Sequence, residues 1–202
     1  MRTRILWNDL KGSPLPAVTT WLFMAVSAFM FALTCFLSTG LLGSMDKLME
    51  VARTPDFLQM HAGVIDETEL VRFAGESGQV RDYQTLRFLN LENSSIVLGG
   101  HSLADSTQDN GVCVQSERFN YLVDMENRVI DDVQSKEIYV PVCYRQMFGL
   151  NVGENVKIGE TDFTIAGFLR DSQMNAMMAS SKRFLISESD YQLLKMKETR
   201  NI

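Results

Sequence analysis

"AVTTWLFMAVSAFMFALTCFLSTGLLG", residues 17–43, carries no charged side chain. It can be a cleaved secretion signal, the core helix of a soluble protein, or a permanent membrane anchor. Wound as a helix, these 27 residues reach about 40 Å, beyond the roughly 30 Å of a bilayer's hydrocarbon core. A signal has an apolar region of about 7 to 15 residues and then a small-residue cleavage site. The one tolerable site here is Val26-Ser27-Ala28, and 15 more uncharged residues follow it. A soluble core helix rarely stays uncharged for so long. Eleven of the residues are Leu, Phe or Val, which together favour insertion by about 3–7 kcal/mol. The stretch therefore reads as a retained transmembrane helix.

The flanks give its direction. Arg2, Arg4 and Lys11 precede it against Asp9, while Asp46, Lys47 and Glu50 follow it. The positive-inside rule puts residues 1–16 in the cytoplasm and the chain from residue 44 outside. Trp21 falls near the inner interface, where indole is favoured. Ala28 and Ala32 form a small-xxx-small pair that lets another helix approach. Ile5, Leu6 and Leu10 make residues 1–16 a cytoplasmic amphipathic segment, broken by Gly12, Pro14 and Pro16 before the span.

Beyond the span, Met45, Leu48, Met49 and Ala52 recur at i, i+3, i+4 and i+7. This apolar stripe predicts a stalk helix over residues 44–56, stopped by Thr54-Pro55, that couples the membrane helix to the chain beyond it. Residues 57–202 are enough for one extracytoplasmic domain with its own core. Residues 44–202 hold 16 Lys or Arg against 24 Asp or Glu. That balance argues against nucleic acid and against docking on anionic lipid.

The residue inventory offers little chemistry. There is no GxxxxGK[ST] loop, no G-x-S-x-G elbow and no H-E-x-x-H, so neither ATP hydrolysis nor another catalytic activity is expected of the chain itself, and no cofactor is implied. His61 and His101 have no ligand-like spacing, so no metal site is expected. Asp66, Glu67 and Glu69 read as helix-start electrostatics. Cys35 lies in the span. Cys113 and Cys143 either pair in an oxidising compartment or remain two buried free thiols.

The local patterns predict an α+β domain. "DFLQMHAG" reads as a strand. Asp66 with Glu69 opens a helix that ends at Gly75 or Gly78. "VRDYQTLRFLNL", "SSIVLGG" and "GVCVQ" read as strands, with a polar loop over residues 101–110. Residues 116–134 are compatible with helix or loop. "KEIYVPV" is a strand, "PVCYRQMFG" a short helix closed by Gly149, and "NVKIGETDFTIAGF" a hairpin with one buried face. "KRFLIS" is a closing strand, and Ser187 with Asp190 starts a last helix. Met174, Met177 and Met178 precede that strand in a small, polar segment; they either cover the core or line an adaptable surface.

With this layout, "IYVPVCYRQMFGLNVGENVKIGETDFTIAGFLRD" (residues 138–171) resembles the first portion of bacterial ABC-transporter permeases of the FtsX-like/MacB-like family. In that family a strand and short helix lead to a GL-x-V-G-[ED]-x-[VI] turn and a hairpin. The matching residues are Gly149, Leu150, Val152, Gly153, Glu154 and Val156, with Ile165 and Gly167 on the return strand. "ARTPDFLQMHAG" and "RDSQMNAMMASSKRFL" look similar to such permeases of Gram-positive bacteria. The resemblance implies a MacB-like outer domain on a single N-terminal helix. It also implies a bacterial cell membrane, a partner cytoplasmic ABC ATPase, and a second permease copy or homologue. The outer domain would export a substrate or relay motion to an extracellular partner protein. A full permease has at least three further membrane helices, so the resemblance implies a fragment or a short form. The alternative expectation is a single-pass anchored receptor or adhesion module with an extracellular binding domain.

Overall fold

The structure, a computed structural model, describes residues 14–174 and 181–200. The expected amphipathic segment at the N-terminus lies largely outside these residues, as do Met177 and Met178. The chain divides into two units, residues 1–46 and 47–202.

Helix α1 (Pro14–Ala52) is 39 residues long, and its most apolar window has a mean hydropathy of 2.0 with no buried residue. By length and composition it can cross a membrane. Pro14 and Pro16 belong to the helix instead of preceding it. A first turn tolerates proline, because its N–H groups have no intrahelical acceptor to lose. Thr19, Thr20, Thr34 and Thr39 return their hydroxyls to carbonyls three or four residues back. Apolar surroundings therefore meet few bare polar atoms.

The second unit is a mixed α+β domain. After α1 come α2 (Glu67–Ser77), β1 (Phe88–Leu91), a 3-10 turn (Asn93–Ser95), β2 (Ile96–Leu98), β3 (His101–Ser102) and β4 (Asp109–Cys113). They are followed by β5 (Glu137–Pro141), α3 (Val142–Phe148), β6 (Asn155–Ile158), β7 (Thr161–Leu169), β8 (Ser181–Ile186) and α4 (Glu188–Arg200). The eight strands form one sheet in the order β1-β4-β8-β5-β7-β6-β2-β3. The β4–β8 and β5–β7 pairs are parallel and the others antiparallel.

The caps agree with the sequence. Asp66 accepts from the amides of Thr68 and Glu69, and Gly78, with φ 61°, ends α2. Ser187 Oγ accepts from Asp190 N at 3.2 Å, and the Asp190 carboxylate accepts from Ser187 Oγ at 2.7 Å and from Lys136 N at 2.8 Å. That reciprocal pair starts α4 and ties it to the approach to β5.

Three expectations fail in whole or in part. Of residues 80–91 only Phe88–Leu91 is a strand. Residues 56–63 are not a strand: they pair with no strand among the described residues, and Phe57 and Met60 stay exposed. Residues 101–110 are not all loop, since they supply β3 and the start of β4. Residues 116–134 resolve as irregular chain. Gln115 pins them, its side chain donating to the carbonyls of Leu122 (2.8 Å) and Ile130 (2.7 Å) and accepting from Leu122 N (3.0 Å). A side chain that satisfies three backbone groups removes the need for a helix there.

The sheet is buried on both faces. One face carries the larger core, including Val112, Ile138, Val140, Phe163, Ile165, Phe184 and Ile186, covered by Tyr144 of α3 and by Tyr191 and Leu194 of α4. The other carries Cys113, Leu169 and Leu185, covered by Leu122 and Ile130 of the irregular segment. Every residue of β8 is buried. Because side chains alternate along a strand, β8 sends Lys182, Phe184 and Ile186 to the α3/α4 face and Arg183 and Leu185 to the other.

Candidate functional site

The chemistry of β8 is the unusual feature: two consecutive cations sit inside a wholly buried strand. Burying an unpaired charge is costly enough that a partner or a shifted pKa is required. Arg183 meets that requirement with Asp171. Its Nε donates to Asp171 Oδ2 at 2.6 Å, and its Nη2 donates to Asn120 Oδ1 at 3.2 Å. Asp171 Oδ1 also accepts from the amides of Gln173 (2.9 Å) and Met174 (3.0 Å). Burial pushes the Asp171 carboxyl up. The Arg183 charge, its hydrogen bond and the two amides outweigh that and hold the group below its ordinary value. Lys182 Nζ donates to the carbonyls of Met174 (3.0 Å) and Ser181 (3.3 Å), and its pKa falls because burial disfavours the charged form.

The same cluster meets the end of α1. Arg53, at φ 47°, takes the left-handed conformation that usually falls to glycine at a helix C-terminus. Thr54 N then bonds back to Met49 O (3.0 Å) and Arg53 N to Glu50 O (3.1 Å), closing the helix. The two freed carbonyls turn to residues 120 and 121: Tyr121 N donates to Ala52 O at 2.7 Å, and Asn120 N to Arg53 O at 3.0 Å. Asn120 is buried and left-handed at φ 58°, a conformation asparagine tolerates. Its carbonyl accepts from Ser116 Oγ at 2.9 Å. Its Nδ2 has no partner among the described residues. Finally, Gln173 Nε2 donates to Pro55 O at 3.0 Å. A ring of contacts thus runs Arg53, Asn120, Arg183, Asp171, Gln173, Pro55, and the chain itself closes it through Thr54.

The expected coupling stripe divides at this point. Ala52 is fully buried, Leu48 is half-buried, and Met45 and Met49 are exposed. Cys113 and Cys143 are free buried thiols on opposite faces of the sheet, in different apolar clusters, so the disulfide weighed from sequence is not formed. Burial pushes the Cys113 thiol up to about 12, Arg183 opposing, and raises Cys143 as well.

The turn at residues 149–154 is structural. Gly149, at φ 68°, caps α3, and its N–H donates to Arg145 O. Leu150 is buried and Val152 exposed. Gly153, at φ 91°, donates to Ile165 O at 2.8 Å, and Glu154 O accepts from Ile165 N at 2.9 Å. Glu154 and Leu150 pack so closely on Gly99 that a Cβ there would lie 2.7 Å from each. His101 stacks on Phe148, with ring centroids 5.0 Å apart, and His61 is exposed. Among the described residues no group of three or more His, Cys, Asp or Glu is placed to hold a metal ion.

Sequence reading missed the ring. The signal available was "KR" inside the apolar run "SSKRFLI", which a solvent-facing strand would explain but a central one would not. Asp171, Asn120 and Gln173 carry no such mark. Compared with protein-family models, curated proteins and solved structures, the chain matches none.

Proposed function

We propose that this chain is the N-terminal part of an ABC-transporter permease subunit of the FtsX-like/MacB-like type. In this reading α1 stays in a bacterial cell membrane with its N-terminus in the cytoplasm. The α+β domain lies outside and is MacB-like. ATP is hydrolysed by a separate cytoplasmic ABC ATPase, and a second permease copy or homologue completes the assembly. The domain exports a substrate or relays motion to an extracellular partner, and does no catalysis of its own.

One observation carries the relay over a tethered receptor. The last turn of α1 has no slack before the domain: Ala52 is buried, and the carbonyls of Ala52 and Arg53 are bonded to Tyr121 and Asn120. A receptor needs only a leash, whereas a mechanical relay needs a fixed joint.

Two experiments test the reading. The first tracks the reading frame past Ile202 and purifies the tagged product from its native membrane in mild detergent. Further membrane helices and a co-purifying ATP-hydrolysing subunit are expected. A frame ending at residue 202, with no such subunit, would favour the receptor. The second tests orientation. The side chain of Glu126 is 65% exposed, and Cys113 and Cys143 are buried. With the exposed Cys35 replaced by Ser, a Glu126→Cys variant should therefore react with an impermeant maleimide in intact cells. Labelling only after lysis would invert the topology.

A further inference from the structure

The ring at the end of α1 does more than bury polar atoms. Its members come from four separate stretches: the exit of α1, the irregular segment at residue 120, the segment after β7, and β8. None of its side-chain contacts is local except the amide bonds of Gln173 and Met174 to Asp171. Asp171 and Asn120 are joined on one side by the Arg183 guanidinium and on the other through Gln173, Pro55 and Arg53. β8 in turn lies between β4 and β5, near the middle of the sheet.

We propose that this ring is a latch: Asn120, Arg183, Asp171 and Gln173 clamp the exit of α1 onto β8, so that a displacement of Ala52 and Arg53 is passed to the centre of the sheet. Without the clamp, residues 53–57 would absorb such a displacement as loop motion. With it, Asn120 N–H holds the Arg53 carbonyl, Gln173 Nε2 holds the Pro55 carbonyl, and the Arg183–Asp171 pair links the two holders. These four are positioning residues.

Coupling between two sites is reciprocal. If motion at Arg53 reaches Asp171, then a cut at Asp171 must be felt at Asn120, which is bonded to Arg53. Amide hydrogen exchange reads that directly, since local opening and global unfolding give different patterns. The reporters are the amides of Asn120 and Tyr121, bonded to Arg53 and Ala52. The controls are Val156 and Ile158, in the core on β6, which β5 and β7 separate from β8.

The full chain in detergent micelles is compared with Asp171→Asn and with Gln173→Ala. The second variant removes only the tie to Pro55 and leaves the ion pair in place, so it reports even where the first fails to fold. In at least one variant, exchange at residues 120–121 should rise by about tenfold or more while Val156 and Ile158 keep their protection. If neither variant shows that local opening, whether because nothing changes or because the controls open equally, there is no latch. The outcome does not depend on a partner ATPase, so it can fail while the permease reading stands, and the reverse.

Discussion

Arg183 Nε and Asp171 Oδ2 lie 2.6 Å apart, with the two side chains only 6% and 4% exposed. A pair so dry gains little net stability from its own attraction, because desolvation offsets it. Removing one partner is different, since it strands the other charge. Asp171→Ala is therefore expected to cost about 3–5 kcal/mol, and Arg183→Met to leave a buried carboxylate with a similar penalty. The double variant Asp171→Ala/Arg183→Met should cost much less than the two singles together. Urea unfolding of the four proteins measures this, and additive costs would mean that the pair is not coupled.

The pair also sets a pH dependence. Asp171 is held below its ordinary value in the fold, so the unfolded chain binds its proton more readily. Its contribution is complete above the unfolded pKa, about 4, and is lost as pH falls through the lower folded value. Stability should then decline on acidification below about pH 4. Asp171→Asn, less stable at neutral pH, should show a shallower decline over the same window. Parallel curves for the two proteins would place the acid sensitivity elsewhere.

Tyr144 offers a gentler cut. Its ring stacks between Phe184, 5.7 Å away, and Phe148, 6.0 Å away, and its hydroxyl donates to Asn110 Oδ1 at 2.6 Å. Asn110 Nδ2 in turn holds Asn93 Oδ1, Ser106 Oγ and the Gln108 carbonyl. Tyr144→Phe keeps the stack and leaves a buried acceptor short of its donor, which costs about 1–3 kcal/mol. Met147→Ala, on the exposed side of the same helix, should stay within about 0.5 kcal/mol. Thermal unfolding distinguishes them, and equal shifts would mean that the hydroxyl contributes nothing.

What could be read in advance divides along physical lines. Elements whose signals are local were legible: the Asp66 and Ser187 caps, the Gly149 terminus of α3, and the alternation that builds β6 and β7 all rest on residues within a few positions of one another. The long uncharged helix was legible for the same reason. Residues 56–63 misled because Phe57, Leu58 and Met60 look like a strand, yet pairing depends on a neighbour that the pattern cannot specify. Residues 116–134 were ambiguous because Gln115, a single side chain, replaces the hydrogen bonds of a regular element. The ring was invisible because Arg53, Asn120, Asp171 and Arg183 meet only through the order β4-β8-β5, and strand order is not written in periodicity.

The stripe on α1 yields the last prediction. Four residues at helical spacing suggested a seam, but Ala52 alone is buried, at 0% exposure, while Met45 and Met49 are 49% and 43% exposed. The joint therefore concentrates at one small residue whose carbonyl bonds Tyr121 N. Ala52→Leu adds methylenes where neighbouring atoms already fill the space, which costs about 1–3 kcal/mol in a packed site. Met49→Ala removes a side chain that faces outward and should change stability by no more than about 0.5 kcal/mol. The measurement is urea unfolding monitored by circular dichroism, with hydrogen exchange at residues 120–121 as the local reporter. A Met49→Ala variant as damaging as Ala52→Leu would restore the whole stripe as the coupling surface and deny Ala52 its special place.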